Sequence, residues 1–257
     1  GATGSIGLNT LDIIRQFPQK FQIEALSCRN SIEQLCEQIR EFKPRLVCVN
    51  TSDQARELRE SFRSRHSCPE TEFVWGMEGL KQISRDPEVD LVMAAIVGAA
   101  GLEPTFSAVE AGKIVAVANK EPLVMAGELF VQTAKKTGAK LLPTDSEHNA
   151  IFQALHNESP ERIARLILTA SGGPFRDLPL DEFEQITLDE ALNHPNWEMG
   201  RKITIDSATM MNKGLEIIEA HWLFNTPVEK IDVLMQRESI IHSMVEFIDG
   251  SFLAQMG

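Results

Sequence analysis

The sequence predicts an α/β fold in two parts: a doubly wound parallel sheet over residues 1–145, and an α+β domain over residues 146–257. In the first part, short β-rich segments alternate with amphipathic helical segments, which places parallel strands beside crossover helices. The second part has several strand-like segments, one long helical segment and an Asp-Gly turn signal. With 43% hydrophobic residues, a chain of 257 residues can bury a substantial core.

The first part contains five predicted strands and five predicted helices. The strands are residues 21–28, 45–50, 90–97, 114–118 and 140–143. The helices are residues 6–17, 32–42, 54–63, 102–111 and 123–136. Apolar strands that alternate with helices of this length are typical of β-α-β units. Pro18 and Pro44 lie where the first two helices are expected to end.

The second part is predicted to contain antiparallel strands. The predicted strands are residues 165–169, 202–205, 231–235, 243–248 and 251–256, with one helix over residues 208–223. Asp249 and Gly250 separate the last two strands, and this dipeptide is typical of a two-residue hairpin turn.

Charge and cysteine content exclude several classes of protein. The formal net charge of −12 and the lack of a Lys/Arg-rich segment argue against a nucleic-acid partner. The longest apolar stretch, residues 91–102, is too short to span a bilayer. Cys28, Cys36, Cys48 and Cys68 form no C-x-x-C pair, so buried thiols are expected rather than a zinc site or disulfides.

A glycine-rich loop opens the sequence. Gly1, Gly4 and Gly7 have the spacing G-x-x-G-x-x-G, and a predicted helix follows directly. Such glycines let the backbone approach a pyrophosphate, which then meets the N–H groups and dipole of the helix N-terminus. A glycine turn before a helix is also common as a purely structural feature. Its place at the head of a β-α-β series favours a Rossmann-like, dinucleotide-binding domain.

The residues after the next strand bear on the type of dinucleotide. An NAD site usually has Asp or Glu here for the ribose 2′-hydroxyl, whereas this sequence has Arg29, Asn30 and Ser31. A cation suits a 2′-phosphate, so NADPH is favoured over NADH. The alternative is that Arg29 is a solvated loop residue.

Three carboxylates indicate a site for a hard metal ion. Asp145 and Glu147 lie two residues apart where a strand gives way to a helix, and Glu216 lies in the long helix of the second part. Oxygen ligands without a His/Cys cluster point to Mg²⁺ or Mn²⁺ rather than Zn²⁺. For Asp145 and Glu147 alone, the simpler interpretation is that Asp145 or Ser146 caps the helix.

Small polar groups in the second part have the chemistry of a phosphate site. Ser171 precedes two glycines, Ser207 lies near a helix start, and Asn212 and Lys213 follow it. Together they offer hydroxyl, amide, ammonium and backbone N–H donors to an anion. Individually, each is more often a cap, a turn or a solvated side chain.

A segment bounded by proline and glycine, residues 194–200, carries an imidazole, an indole and a thioether. It is either an active-site lid or a loop that packs Trp197 against the domain. Among the other histidines, His66 and His156 are in polar stretches and are predicted to be solvated. His221 and His242 are in apolar surroundings and are predicted to be satisfied core residues.

Six motifs occur in an order that resembles the 1-deoxy-D-xylulose 5-phosphate reductoisomerase family. They are Gly-Ala-Thr-Gly-Ser-Ile-Gly (1–7), Ala-Asn-Lys-Glu (118–121), Asp-Ser-Glu-His-Asn (145–149), Ser-Gly-Gly-Pro-Phe (171–175), His-Pro-Asn-Trp (194–197) and Asp-Ser-Ala-Thr-Met-Met-Asn-Lys-Gly-Leu-Glu (206–216). The resemblance extends over essentially all 257 residues.

The resemblance implies a role for each matching residue. NADPH contacts are implied for Thr3, Gly4, Ser5, Ile6, Asn119, Glu121 and the backbone of Gly200. Metal ligands are implied for Asp145, Glu147 and Glu216, and substrate contacts for Lys120, Ser146, Ser171, His194, Ser207, Asn212 and Lys213, with Trp197 on the mobile loop. Lys120, His194 and the three carboxylates are expected to be catalytic.

The implied reaction converts 1-deoxy-D-xylulose 5-phosphate into 2-C-methyl-D-erythritol 4-phosphate, in non-mevalonate isoprenoid biosynthesis. It requires NADPH and Mn²⁺ or Mg²⁺, with Co²⁺ as a further candidate. A retro-aldol/aldol route and a 1,2-shift both remain open. Two other hypotheses are a different NADP-dependent oxidoreductase, such as a semialdehyde or homoserine dehydrogenase, and a non-enzymatic dinucleotide-binding module. Neither would need the three carboxylates and Lys213 in one cluster.

The family pattern includes a first strand and a C-terminal helical domain that are not in this sequence. We therefore expect a piece of a longer protein, which alone would be poorly soluble and nearly inactive. We expect the whole protein to be a homodimer that pairs through the sheet of its second domain. It is expected to work in the cytoplasm, or in the plastid stroma of a plant or alga.

Overall fold

The structure is a computed structural model that describes residues 1–64, 70–155 and 158–257. Cys68, His66 and His156 lie outside the described residues, and so do the predictions for them. The chain divides into two compact units. The first comprises Gly1–Pro122 and Leu129–Leu142, and the second comprises Leu123–Glu128 and Pro143–Gly257.

The first unit alternates helices and strands, as predicted. Its helices are α1 (Ser5–Gln16), α2 (Ile32–Phe42), α3 (Ser52–Ser64), α4 (Gly76–Arg85), α5 (Leu102–Glu110) and α6 (Glu121–Thr137), apart from residues Leu123–Glu128 of α6, which belong to the second unit. Its strands are β1 (Ala25–Ser27), β2 (Leu46–Val49), β3 (Glu72–Trp75), β4 (Leu91–Ala94), β5 (Ile114–Val117) and β6 (Lys140–Pro143). The strands form two three-stranded sheets, β1-β2-β3 and β4-β5-β6, and the pairs β1–β2, β2–β3 and β4–β5 are parallel. The predicted Rossmann-like α/β class is confirmed.

The packing of the first sheet explains why these residues form these elements. All four residues of β2 are buried, as expected for a strand covered on both faces. Leu35 and Ile39 lie one helical turn apart on α2, and both are fully buried in the core with Val47 and Phe73. Burial of each such side chain contributes roughly 1.5–3 kcal/mol.

The second unit is an α+β arrangement around a mixed sheet. Its strands are β7 (Ile163–Ala170), β8 (Ile231–Met235), β9 (Ile241–Phe247) and β10 (Phe252–Met256). Its helices are α7 (Ser146–Leu155), α8 (Leu188–Ala191), α9 (Arg201–Ala208) and α10 (Met211–Phe224). The sheet order is β10-β9-β7-β8, with β7–β8 parallel and the other two pairs antiparallel. Buried residues of α7, α10, β7 and β9 form one core.

The predicted hairpin between the last two strands is confirmed. β9 and β10 pair antiparallel, and Gly250 has a φ of 83°, which a glycine adopts without strain. The Asp249 carboxylate accepts hydrogen bonds from the backbone N–H of Ser251 at 2.9 Å and from its hydroxyl at 2.6 Å.

One predicted element of the second unit is wrong. Residues 202–205, predicted as a strand, lie in α9; Ile203 and Ile205 alternate with polar residues as in a strand, but the Thr204 hydroxyl donates to the Gly200 carbonyl at 3.0 Å within a helical turn. The helix predicted over residues 208–223 is confirmed as α10, which begins only at Met211, because Thr209 has an extended backbone (φ −120°, ψ −152°) between α9 and α10.

Two elements of the first unit were not predicted, and two strands are much shorter than predicted. The missing elements are β3 and α4. The strand predicted over residues 21–28 is Ala25–Ser27, and the strand predicted over residues 90–97 is Leu91–Ala94. Cys28 and Cys48 are buried thiols, as predicted, and Cys36 is half-buried. Burial raises the pKa of the Cys48 thiol to about 12. None of the helices in the described part of the chain combines the length and the apolar character needed to cross a membrane.

Candidate active site

The glycine loop of the first unit is held close to its own helix and to β1. The backbone N–H of Ala2 donates to the Ser27 carbonyl at 2.7 Å, and the Thr3 hydroxyl lies 3.3 Å from the Cys28 sulfur. A Cβ at Gly7 would come within 2.4 Å of the Gly1 carbonyl oxygen, so only glycine allows this approach. Gly4, Ser5 and Ile6 are exposed at the N-terminus of α1, where free N–H groups can meet an anion.

The residues predicted to bind the cofactor 2′-phosphate follow β1 directly. Arg29, Asn30 and Ser31 are all exposed. The Arg29 carbonyl accepts a hydrogen bond from the Gln54 side chain at 3.4 Å. Their neighbour Cys28 contacts Thr3 of the glycine loop, so the two predicted cofactor segments meet at the carboxyl end of β1. Their cofactor role stays a prediction.

The remaining predicted cofactor residues lie in three different environments. Asn119 is buried and donates to the Gly98 carbonyl at 2.9 Å. Glu121 is the first residue of α6, and the buried Lys120, predicted to be on the substrate side, directly precedes that helix. Gly200 belongs to the second unit, where it is exposed at the start of α9.

A cavity of about 290 Å³ in the second unit brings together the residues predicted to bind metal and substrate, except Lys120, which is not among its lining residues. Ten of the predicted residues line it, namely Asp145, Ser146, Glu147, Ser171, His194, Trp197, Ser207, Asn212, Lys213 and Glu216. They come from the start of α7, the loop after β7, the segment before α9, and helices α9 and α10. Residues that are distant in the sequence therefore share one cavity.

The three predicted metal ligands converge. One carboxylate oxygen each from Asp145, Glu147 and Glu216 lies within 4.8 Å of the other two. Asp145 precedes α7, Glu147 is in its first turn, and Glu216 is buried in α10. The predicted convergence is present, and this donor set fits Mg²⁺ or Mn²⁺, which prefer oxygen ligands.

Lys213 binds two of these carboxylates. Its ammonium donates to Glu147 at 2.8 Å, to Glu216 at 2.5 Å and to the Thr169 carbonyl. Burial lowers the pKa of Lys213, but the Glu216 and Glu147 carboxylates outweigh burial and the net pKa is raised. Asn212 donates to the other Glu216 oxygen at 2.5 Å. The ammonium is therefore charged within the carboxylate cluster.

The predicted phosphate-binding segments pack directly against each other. A Cβ at Gly173 would lie 2.1 Å from the Ser207 carbonyl oxygen, so this glycine lets the loop after β7 touch the end of α9. Gly172 has a φ of 79°, which again favours glycine. As a result, Ser171 and Ser207 both line the cavity, where their hydroxyls can serve one anion.

The predicted lid has a defined internal structure. The Nδ1 atom of His194 accepts hydrogen bonds from the backbone N–H groups of Asn196 at 3.2 Å and Trp197 at 3.1 Å. Burial and the nearby Arg176 cation lower the pKa of His194. The imidazole is therefore held neutral with its proton on Nε2. Trp197 is 47% exposed and lines the cavity, so its indole is not packed away in the core.

Two buried residues beside the carboxylates were not predicted. His148 is fully buried, with Nε2 2.9 Å from the Glu216 carbonyl oxygen and Nδ1 3.4 Å from the Glu219 carboxylate. Burial lowers the pKa of His148, but Glu219, Asp145 and Glu216 together raise it to about 9. The signal in the sequence was the three-residue spacing of Asp145 and His148, and of Glu216 and Glu219, on adjoining faces of α7 and α10.

Two histidines predicted to lie in the core are only half-buried. His242 lines the cavity, so the core prediction is wrong for it. Along β9, Ser243, Val245 and Phe247 are buried, and His242 lies on the opposite face because side chains alternate along a strand. His221 has a satisfied Nδ1, which lies 2.8 Å from the Thr226 carbonyl oxygen.

Comparison with known families agrees with this geometry. The model of 1-deoxy-D-xylulose 5-phosphate reductoisomerase matches residues 1–127, and the model of the C-terminal domain of the same enzyme matches residues 141–224. The 1-deoxy-D-xylulose 5-phosphate reductoisomerase of Geobacillus sp. (strain WCH70) is 54% identical over all 257 residues, and that of Shouchella clausii (strain KSM-K16) is 53% identical. The chain spans 66% of the length of each relative.

Solved structures of the same enzyme have the same fold. One is a DOX-P reductoisomerase in complex with NADPH, fosmidomycin and magnesium, with 48% identity and a TM-score of 0.91. Another is the Zymomonas mobilis 1-deoxy-D-xylulose 5-phosphate reductoisomerase in complex with NADPH, with 43% identity and a TM-score of 0.91. Each match covers the whole of this chain and 65% of the solved chain. The chain therefore belongs to the 1-deoxy-D-xylulose 5-phosphate reductoisomerase family.

Proposed function

We propose that the protein converts 1-deoxy-D-xylulose 5-phosphate into 2-C-methyl-D-erythritol 4-phosphate with NADPH and a divalent cation (Mn²⁺, Mg²⁺ or Co²⁺). The observation that carries this proposal is one cavity that holds three converging carboxylates, Lys213 and two serine hydroxyls. A metal site beside an anion site suits a small sugar phosphate. The related structure in complex with NADPH, fosmidomycin and magnesium supports the same assignment.

The carboxylates and the phosphate-binding groups have separate roles. Asp145, Glu147 and Glu216 would hold a divalent cation, which would supply Lewis-acid stabilisation of negative charge on the substrate oxygens. Ser171, Ser207, Asn212 and Lys213 bind the phosphate, and Ser146 at the start of α7 makes a further contact to the substrate. Binding energy from this remote group orients the reacting carbons, so the substrate is held close to the geometry of the transition state.

His194 and Trp197 act from the lid. Because the His194 Nδ1 atom already accepts two backbone N–H groups, its free N–H is on Nε2 and donates to an oxygen of the substrate. The exposed Trp197 indole covers the bound substrate and excludes water from the reaction. In the first unit, the glycine loop holds the NADPH pyrophosphate, and Arg29 faces the 2′-phosphate. Asn119, Glu121 and Lys120 add contacts to cofactor and substrate.

We also propose that the protein works as a homodimer in the cytoplasm. Both edge strands of the second-unit sheet carry exposed apolar side chains, among them Val233 and Leu234 on β8 and Phe252 and Leu253 on β10. Exposed apolar groups at a sheet edge are typical of a protein–protein interface. Light scattering on the purified protein measures its mass directly, and a monomeric mass across the working concentration range would contradict the dimer.

The activity is tested on the whole protein by NADPH consumption with the sugar phosphate, with and without Mn²⁺, and the product is identified by NMR. We expect turnover that requires the metal, and a kcat/KM for NADPH well above that for NADH. Metal-independent reduction of a different carbonyl compound would favour another class of NADP-dependent oxidoreductase. NADPH binding without turnover of the sugar phosphate would favour a binding module.

A further inference from the structure

The ammonium group of Lys213 is fully engaged with acceptors of the protein. Its acceptors are a Glu147 oxygen at 2.8 Å, a Glu216 oxygen at 2.5 Å and the Thr169 carbonyl. A lysine ammonium has three N–H donors, and these acceptors use all three. In this arrangement Lys213 has no donor left for a substrate phosphate.

Glu147 and Glu216 are also two of the three carboxylates whose oxygens converge within 4.8 Å. Mg²⁺ binds carboxylate oxygens at about 2.0–2.1 Å and demands near-octahedral geometry. An ammonium already hydrogen-bonded to both residues would lie against the cation and repel it. The two positive groups therefore require the same oxygens.

Because the carboxylate cluster is buried, it needs either the Lys213 ammonium or a metal ion beside it at all times. Glu216 is 1% exposed and Lys213 is 5% exposed. A buried carboxylate without a compensating charge is strongly destabilising. The carboxylate cluster is thus satisfied either by the lysine ammonium or by a metal ion.

We propose that Lys213 is an internal competitor of the divalent cation, which displaces the ammonium from Glu147 and Glu216 when it binds. The displaced ammonium regains free donors in a cavity that it shares with Ser171 and Ser207. Metal binding would thereby complete the anion site. This inference rests on the metal site of the proposed function.

The test is the affinity of the purified protein for Mn²⁺, measured by isothermal titration calorimetry at fixed pH without NADPH or substrate. We expect Lys213→Met to bind Mn²⁺ about tenfold more tightly than wild type, because the competing charge is removed. The matched control is Lys202→Met. Lys202 is exposed and pairs with Asp206 at 2.6 Å, so this variant loses the same charge away from the carboxylates and should change the affinity by less than about twofold.

The Lys213→Gln variant is measured in parallel, and circular dichroism checks that each variant is folded. Glutamine removes the positive charge but keeps an N–H₂ donor for the buried carboxylates. This variant therefore tests the competition even if Lys213→Met does not fold. If wild type binds Mn²⁺ and the folded Lys213 variants bind it no more tightly than wild type, the competition is overturned. That result would leave the proposed function standing. If wild type does not bind Mn²⁺ at all, both the competition and the metal-dependent function are overturned.

Discussion

His148 lies fully buried between the two helices that carry the carboxylates. It belongs to α7, and its ring contacts the Glu216 carbonyl and the Glu219 carboxylate of α10. A buried charge pair of this kind stabilises the fold little more than a well-packed apolar pair of the same size would. Removing one partner, however, leaves the other charge buried alone and strongly lowers the free energy of unfolding. His148 and Glu219 therefore hold α7 and α10 in register, which places Asp145 and Glu147 near Glu216.

This pair makes a pH-dependent contribution to stability. Burial lowers the pKa of His148, but Glu219, Asp145 and Glu216 outweigh burial and raise it from 6.5 to about 9 in the folded protein. Since the folded pKa is above the unfolded one, the contribution is complete below about pH 6.5 and is lost as the pH rises through about 9. A shift of this size corresponds to at most about 3 kcal/mol.

We therefore expect urea unfolding to show a smaller loss of stability between pH 6.5 and pH 9 in Glu219→Gln than in wild type. Glutamine keeps the size of the side chain and removes the charge that favours protonated His148. Parallel pH profiles for the two proteins would contradict the assigned pair.

The sequence indicated some of these residues more clearly than others. Asp145 and Glu147 stand out because two carboxylates flank one residue at a strand-to-helix junction. His148 and Glu219 do not stand out, because their contact joins positions far apart in the sequence. A histidine on an apolar helix face is usually a core residue, so its neighbours decide its role, and they are known only from the fold.

At the level of elements, the loop after β7 and the end of α9 form one wall of the cavity. Gly173 permits their contact, since a Cβ there would lie 2.1 Å from the Ser207 carbonyl and 2.5 Å from the Ala208 carbonyl. These are backbone atoms, which cannot move aside as a flexible side chain could. The wall thus depends on the absence of a side chain at one position.

Gly173→Ala should push the loop and α9 apart. We expect a higher KM for the sugar phosphate and a loss of about 1–3 kcal/mol of stability from the overpacked contact. Gly214→Ala is the matched control, because a Cβ at Gly214 meets no atom within 4 Å. This second variant should gain up to about 1 kcal/mol from helix propensity. Unchanged KM and stability in folded Gly173→Ala would show that the contact does not shape the site.

The elements themselves were predictable where local patterns are strong. The hairpin at Asp249 and Gly250 follows from turn chemistry, and β6 and β8 have the predicted bounds. The segment at Ile203 and Ile205 was predicted as a strand because these apolar residues alternate with polar ones, as they do in a strand. Tertiary packing determines that this segment is helical, since Thr204 and Ala208 are buried one helical turn apart.

At the level of the whole molecule, the α/β class and the two-part order follow from alternating local patterns. The grouping of segments into units does not. Leu123–Glu128 of α6 belongs to the second unit, and a Cβ at Gly127 would lie 2.1 Å from the Trp222 ring. Only the folded chain shows this contact. The net charge of −12 likewise gives no sign of an anion site, because a few local donors are enough to build one.

Asp145, Glu147 and Glu216 are proposed to hold one divalent cation, and anomalous diffraction from crystals of the protein grown with Mn²⁺ would locate that ion. We expect one strong peak at about 2.0–2.2 Å from an oxygen of each carboxylate, in near-octahedral coordination, with the Lys213 ammonium moved off Glu147 and Glu216. A peak at other residues, or no peak at saturating Mn²⁺, would contradict the proposal.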